Sequence, residues 1–106
     1  MLVKKEEISR TYELTYLIAS GYTTAEMNSI QDSVVAMIGK SEGEIVETND
    51  WGKKTLAYEI KKDGKKHNEA VYVHLVVKLP AKNVQSLAKN VELKKEVLRS
   101  LLVVSN

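Results

Sequence analysis

The sequence predicts a single α+β domain in which two helices cover one face of a four-stranded antiparallel sheet. Three observations predict this class: four segments alternate apolar and polar residues, two repeat apolar residues at helical spacing, and the order is strand, helix, strand, strand, helix, strand. The length of 106 residues suits one domain, since domains most often have about 100–150 residues. We expect residues 10–106 to form it and residues 1–9, which lack periodicity, to be a flexible N-terminal extension.

The first predicted strand spans residues 12–19 and is largely apolar on both faces, which is typical of a central strand. Thr23 and Glu26 then match a capping box, in which each side chain accepts a hydrogen bond from the other residue's backbone amide. The helix that follows should bury one apolar stripe, made of Met27, Ile30, Val34 and Ile38. We expect Gly39 and Gly43 to end this helix.

The second strand is predicted from Glu44 onwards and should bend at Gly52, because a glycine within a strand pattern indicates a bulge. Asp63-Gly64 predicts a tight hairpin turn into a third strand at residues 69–79. One set of its side chains should pack on the helices, namely Val71, Val73, Leu75, Val77 and Leu79. The other set should face away from them, namely Tyr72, His74, Val76 and Lys78.

Pro80 is predicted to open the second helix, where its missing amide costs nothing. The buried side of this helix should consist of Val84, Leu87, Ala88 and Val91. A polar connection at residues 90–96 and an apolar last strand at residues 98–104 complete the order βαββαβ. This order is the split βαβ arrangement of the ferredoxin-like fold, with both helices on one face of the sheet.

The composition argues against most enzyme and metal-site classes. The chain has no cysteine, which excludes disulfides, thiolate nucleophiles and cysteine zinc sites. It lacks a glycine-rich phosphate loop, a nucleophile elbow and a paired metal motif, so we expect no catalysis and no cofactor. No apolar run approaches the roughly 18–20 residues that a membrane span needs.

Positive charge is concentrated in one stretch, although the net charge of the chain is only +2. Between positions 53 and 66, six lysines stand against Glu59 and Asp63 for a local net charge of +4, while ten basic and twelve acidic residues elsewhere leave −2. Ammonium groups attract phosphates regardless of base sequence. The candidate RNA contacts are therefore Lys53, Lys54, Lys61, Lys62, Lys65 and Lys66. The alternative is that these lysines only solvate a hairpin and keep its edge from pairing.

Two aromatic residues lie among these lysines. Tyr58 is a further candidate RNA contact, because an aromatic ring in a basic strand can stack on an unpaired base or fold back on a lysine stem. Trp51 is better suited to a hydrophobic plug at the strand bend.

The third strand's outward face favours a protein partner over nucleic acid. The RNA-recognition motif shares this fold but carries stacking aromatics on its third strand, where this chain offers only Tyr72. An apolar sheet face without stacking groups favours protein docking, so Tyr72, His74 and Val76 are the candidate partner-binding residues. We expect His74 to be a surface imidazole within this contact face rather than a metal ligand.

Three colinear motifs carry a resemblance to a known family. The run Asp-Trp-Gly-Lys-Lys-Thr-Leu-Ala-Tyr-Glu-Ile-Lys-Lys at positions 50–62 resembles the signature of bacterial ribosomal small-subunit protein six. Tyr-Glu-Leu at 12–14 and Val-Leu-Arg-Ser-Leu-Leu-Val at 97–103 also agree with that family. Two departures stand out within the signature: Glu59 occupies the usual proline position, and Lys53 and Lys54 replace arginines.

The resemblance implies a non-enzymatic constituent of the small ribosomal subunit in the cytoplasm. It implies binding to 16S ribosomal RNA together with small-subunit protein eighteen, which docks on the sheet side in this family. The positions that match basic or aromatic family residues are Arg10, Lys53, Lys54, Tyr58, Lys61, Lys62 and Arg99. The alternative function, from another class, is a ferredoxin-like interaction or regulatory module that oligomerises through its sheet face without binding RNA.

Overall fold

Four strands and two helices follow one another in the predicted order. The fold is that of a computed structural model, which describes residues 8–105 and, at positions 50 and 51, the backbone alone. Its elements are β1 (Ser9–Ala19), α1 (Thr24–Lys40), β2 (Glu44–Lys62), β3 (Lys65–Pro80), a short 3-10 helix (Ala81–Asn83), α2 (Val84–Glu92) and β4 (Val97–Val104). The described chain therefore has the α+β ferredoxin-like architecture that the sequence predicts.

The sheet has the strand order β2-β3-β1-β4, and each neighbouring pair is antiparallel. Both helices pack on one face, which we call the inner face; the opposite face is the outer face. Alternate β1 residues are buried against the helices, as the pattern predicts: Tyr12, Leu14, Tyr16 and Ile18. The inner face of β3 joins the same core through Val73, Leu75, Val77 and Leu79, each at most 3% exposed.

The capping box of α1 forms as predicted. The Thr23 amide donates to Glu26 Oε1 at 2.8 Å, and the Glu26 amide donates to Thr23 Oγ1 at 3.2 Å. The helix ends at Lys40, so the prediction that Gly39 ends it is wrong by one residue. Gly43 takes part in the helix end as predicted, because its amide donates to the Ile38 carbonyl at 2.8 Å, and it also packs closely, since a Cβ there would lie 2.8 Å from Ile38 Cγ2.

The start of the second helix differs from the prediction. Pro80 closes β3 with an extended backbone, and a 3-10 turn separates it from α2 at Val84. Asn83 fixes this turn by donating from Nδ2 to the Ser41 carbonyl at 2.8 Å. At the other end, α2 runs past the predicted boundary at residue 90, because Val91 is fully buried and keeps the last turn on the core.

The first strand begins at Ser9, three residues before its predicted start at residue 12. Ser9 already pairs with Pro80, one residue before the expected boundary at Arg10. The Ile8 carbonyl accepts from the Ala81 amide at 2.8 Å. The predicted flexible extension falls mainly on residues 1–7, which lie outside the described part of the chain.

A second, smaller apolar cluster lies away from the main core. It contains Ala19, Ile60, Ala70 and Leu98, each 8% exposed or less. Leu17, Leu56 and Tyr72 pack against it, while Tyr22 touches both clusters.

Among residues 8–105, neither helix is long and apolar enough to cross a membrane.

Candidate nucleic-acid and partner interface

The β2–β3 hairpin divides into two parts. We call residues 44–55 and 69–80 the hairpin stem and residues 56–68 the hairpin tip. Stem pairing ends at Thr55 opposite Glu69 and resumes at Ile60 opposite His67, so four residues of β2 stand against Asn68 alone. This wide bulge separates the two parts of the ladder. A further register shift lies next to Gly52, whose φ of +74° fits the predicted bend.

The tip closes with the predicted two-residue turn. Asp63 and Gly64 have φ values of +53° and +79°, the pair of positive angles that a type I′ turn requires. This turn sets two pairs of like charges directly opposite one another, Lys61 with Lys66 and Lys62 with Lys65. Like charges in this position destabilise a hairpin. The tip therefore presents ammonium groups at a cost that a bound polyanion would offset.

The stem lysines do not share one surface. Lys53 pairs with Val71 of the inner face and Lys54 with Ala70 of the outer face, because consecutive strand residues point in opposite directions. Lys53 Nζ lies 3.5 Å from Glu69 Oε1 in a partly exposed ion pair. The six predicted lysines are thus gathered along one hairpin, but on more than one side of it.

Lys62 differs from the other tip lysines because it binds the protein itself. Its ammonium donates to the Lys94 carbonyl at 3.2 Å and also to the Val97 carbonyl. The Lys94 carbonyl lies in the α2–β4 connection and the Val97 carbonyl at the start of β4, so this contact fastens the hairpin tip to the end of the sheet. Together with the buried Ile60, it fixes the position of the tip.

Tyr58 lies within the bulge and is 85% exposed. Beside it, a shallow pocket of about 170 Å³ opens on the outer face and includes Tyr72 and Arg99 in its lining. Strand pairing explains why Tyr72 and Arg99 lie close together. One row across the four strands consists of Gly52, Tyr72, Leu17 and Arg99. Two predicted RNA contacts, Tyr58 and Arg99, thus meet the predicted partner residue Tyr72.

Two residues considered from the sequence stand apart from this group. Arg10 pairs with Leu79 at the N-terminal end of β1, which is the end far from the hairpin tip. The structure therefore does not bring Arg10 to the lysines. The predicted plug at Trp51 concerns a side chain outside the described part of the structure.

His74 is less exposed than predicted. It lies on the outer face as expected, but it is only 9% exposed, so its description as a surface imidazole is wrong. Asn49 and Glu13, on the strands either side, cover the ring: Asn49 Nδ2 lies 3.3 Å from Nδ1, and Glu13 Oε1 lies 3.0 Å from Nε2. These contacts fit the tautomer in which Nδ1 accepts from Asn49 and Nε2–H donates to Glu13.

The outer face extends onto β4, which the sequence analysis did not include. Leu101 pairs with Thr15 in the row of His74, and Val103 pairs with Glu13 in the row of Val76. Leu101 is 61% exposed and Val103 is 44% exposed. Alternation within residues 98–104 was the available signal, but that segment is too uniformly apolar for its two faces to be distinguished.

One tyrosine near the tip has a shifted ionisation equilibrium. Burial raises the pKa of Tyr22 above its usual value of 10.0, and the carboxylates of Glu96 and Glu26 raise it further. The phenol therefore keeps its proton across the neutral range.

Among the described residues, no group of three or more histidine and acidic side chains is placed to hold a metal ion.

Comparison with known proteins identifies the same family over almost the whole chain. The family model described as ribosomal protein S6 matches residues 11–104. The small ribosomal subunit protein bS6 of Pelagibacter ubique is 36% identical over 92 residues, which cover 87% of this chain and 73% of that protein. The bS6 protein of Vesicomyosocius okutanii is 32% identical over 97 residues, covering 92% and 81% of the two chains. The crystal structure of 30S ribosomal protein S6 from Thermotoga maritima superposes with a TM-score of 0.81 at 25% identity, covering 92% of this chain and 89% of that one.

Proposed function

Because the chain belongs to the ribosomal protein S6 family, a non-enzymatic constituent of the small subunit of the bacterial cytoplasmic ribosome, we propose that it binds 16S ribosomal RNA through its β2–β3 hairpin and small-subunit protein eighteen through its outer sheet face. The observation that carries the RNA proposal is the pairing at the hairpin tip, where Lys61 stands opposite Lys66 and Lys62 stands opposite Lys65. Lysines at opposite positions of paired strands are unfavourable in the free protein, and phosphates bound beside them would offset this cost. Lys62 is the exception among the four, because its ammonium already donates to two backbone carbonyls.

The RNA-binding proposal includes the other predicted residues according to their positions. Lys54, Tyr58 and Arg99 lie along the outer side of the hairpin and its neighbouring face, where a bound strand would pass from phosphate contacts to a stacking ring. Lys53 is the weakest of the lysine candidates because it already forms an ion pair with Glu69. Arg10 would require a second RNA contact at the far end of β1.

The RNA contact is tested by the double variant Lys61→Glu with Lys66→Glu. Both side chains are exposed, and their reversal replaces a repulsive lysine pair with a repulsive glutamate pair, so the fold should be retained. We expect this variant to lose co-sedimentation with small subunits in moderate salt. The matched control is Lys40→Glu with Lys89→Glu, which changes the net charge equally at exposed positions of α1 and α2. Equal incorporation of both variants would refute the proposed hairpin contact.

The partner contact rests on the mixed character of the outer face. Tyr72 and Val76 are partly buried, His74 is held in place, and Leu101 and Val103 add exposed apolar surface beside them. Glu13 and Glu47 flank Val76 in one row, so this part of the face suits a partner with basic residues.

The partner contact is tested by Leu101→Asp, measured by titration with purified protein eighteen. We expect complex formation to weaken strongly, while Val35→Asp, an exposed apolar position on α1, leaves it unchanged. RNA affinity should also rise when the partner is present, and tight RNA binding by the isolated chain would count against a shared interface. Light scattering distinguishes the alternative, since a sheet-mediated oligomer would grow with concentration and ignore added RNA.

A further inference from the structure

A cleft of about 530 Å³ lies where the hairpin tip meets the end of the sheet. Three segments that are distant in sequence form its walls: the hairpin tip, the turn between β1 and α1, and the connection from α2 to β4. The lining residues that bear on binding are Tyr22, Lys62, Asp63, Lys65, His67 and Lys95. The cleft is thus a product of the folded chain and is not visible in any one stretch of sequence.

Positive charge dominates this lining. Lys62 and Lys65 face each other across the hairpin, and Lys95 approaches from the α2–β4 connection. Asp63 is the single acidic residue in the lining. The neighbouring Glu96 acts on Tyr22 of the lining, but its Oε1 also lies 3.5 Å from Lys94 Nζ, so that lysine partly offsets its charge. Three ammonium groups against one carboxylate make the cleft a local site for anions.

The ammonium of Lys62 is fixed in place before any ligand binds. Two of its three protons are directed to the Lys94 and Val97 carbonyls, which leaves one donor for a further acceptor. A fixed donor loses less conformational entropy on binding than a free lysine does. Lys65 and Lys95 are exposed and supply the adaptable part of the site.

We propose that this cleft binds a backbone phosphate of RNA, held between Lys62 and Lys65 of the hairpin and Lys95 of the α2–β4 connection. The inference rests on the proposed function and specifies it, because it adds a contact from a segment outside the hairpin. A phosphate is favoured over a base, since the lining offers three lysine ammonium groups against two rings, those of Tyr22 and His67. A carboxylate of an acidic polypeptide is the competing ligand.

The first test is amide chemical-shift mapping of the full chain with three probes: inorganic phosphate, hexauridylate and hexaglutamate. We expect phosphate and hexauridylate to shift the amides of Ser20, Gly21 and Lys95, with hexauridylate acting at the lower concentration. Stronger shifts at these amides with hexaglutamate would overturn the assignment to RNA. Shifts spread evenly over all exposed lysines would overturn the cleft as a site.

The second test is the salt dependence of binding to a 16S ribosomal RNA transcript in the presence of the partner protein. Loss of one phosphate contact should lower the slope of log affinity against log salt by about 0.7–1 in Lys95→Ala. The matched control Lys89→Ala, an exposed lysine of α2, should keep the wild-type slope. Equal slopes in the two variants would overturn the cleft contact while leaving RNA binding by the protein intact. If wild-type protein shows no salt-dependent RNA binding, the proposed function itself fails.

Discussion

The stem and the tip of the β2–β3 hairpin are continuous in sequence but differ in what holds them. Stem residues Val73, Leu75, Val77 and Leu79 lie in the main core under both helices. The tip has no strand partner beyond its own hairpin and is anchored by buried Ile60 and by the Lys62 ammonium. The difference shows how one long hairpin can serve two purposes: its stem stabilises the fold, while its tip carries unfavourable charge pairs.

The largest expected difference between stem and tip is in core burial. Leu75→Ala should lower the free energy of unfolding by about 2–5 kcal/mol, because it deletes a nearly inaccessible side chain and leaves a cavity. Tyr58→Ala in the tip should change it by no more than about 0.5 kcal/mol, since that ring is 85% exposed. Urea denaturation of both variants measures the contrast. A comparable loss in Tyr58→Ala would show that the tip contributes as much as the stem.

The next effect concerns the two neighbouring tip lysines. Lys62→Met should cost about 1–2 kcal/mol, because it removes the donor to the Lys94 and Val97 carbonyls while keeping an apolar stem of similar length. Lys61→Met removes the same charge at an exposed position and should be neutral or slightly stabilising. Hydrogen exchange of the β4 amides should accelerate in the first variant only. Equal exchange in the two would show that Lys62 does not anchor the tip.

A smaller effect is expected at the turn. Gly64→Ala should destabilise the protein by about 1 kcal/mol, because an L side chain is strained at a φ of +79°. Gly39→Ala should have the opposite sign and stabilise by about 0.5–1 kcal/mol, since that glycine is helical and its Cβ would meet open space. Thermal unfolding of the two variants tests this, and a loss of stability in Gly39→Ala would contradict it.

The smallest effect involves Tyr22, which packs against both apolar clusters. Its pKa is raised in the folded protein by burial and by Glu96 and Glu26, so folding favours the neutral phenol. That contribution is fully present below pH about 10 and is lost as pH rises through the higher folded-state pKa. Wild-type stability should therefore fall more steeply between pH 9 and pH 11 than that of Tyr22→Phe. Denaturant titrations at both pH values measure it, and parallel losses would argue against the shift.

The sequence predicted local features of the hairpin well. Alternation identified the inner face of β3, and Asp63-Gly64 identified the turn, because both depend on residues a few positions apart. The Thr23–Glu26 capping box was predictable for the same reason. The family resemblance, which came from three short motifs, was confirmed by the family match over residues 11–104.

The features that escaped prediction are those made by distant segments. His74 is covered by Asn49 and Glu13, which are 25 and 61 residues away in sequence. Lys62 and Lys95 reach a common cleft only because the tip folds against the α2–β4 connection. A charge count along the chain also treated Lys53 and Lys54 as a pair, whereas strand geometry sends them to opposite faces. Pairing register decides such details, and a single sequence does not state it.

The three-residue excess in β2 opposite Asn68 has a consequence for how the hairpin is positioned. Ladder register on one side of the bulge is set by the four-stranded sheet, and on the other side by the Asp63-Gly64 turn. The residues between let the two ladders keep independent registers, so the lysine-bearing end is positioned by Ile60 and Lys62 and not by pairing inherited from the stem.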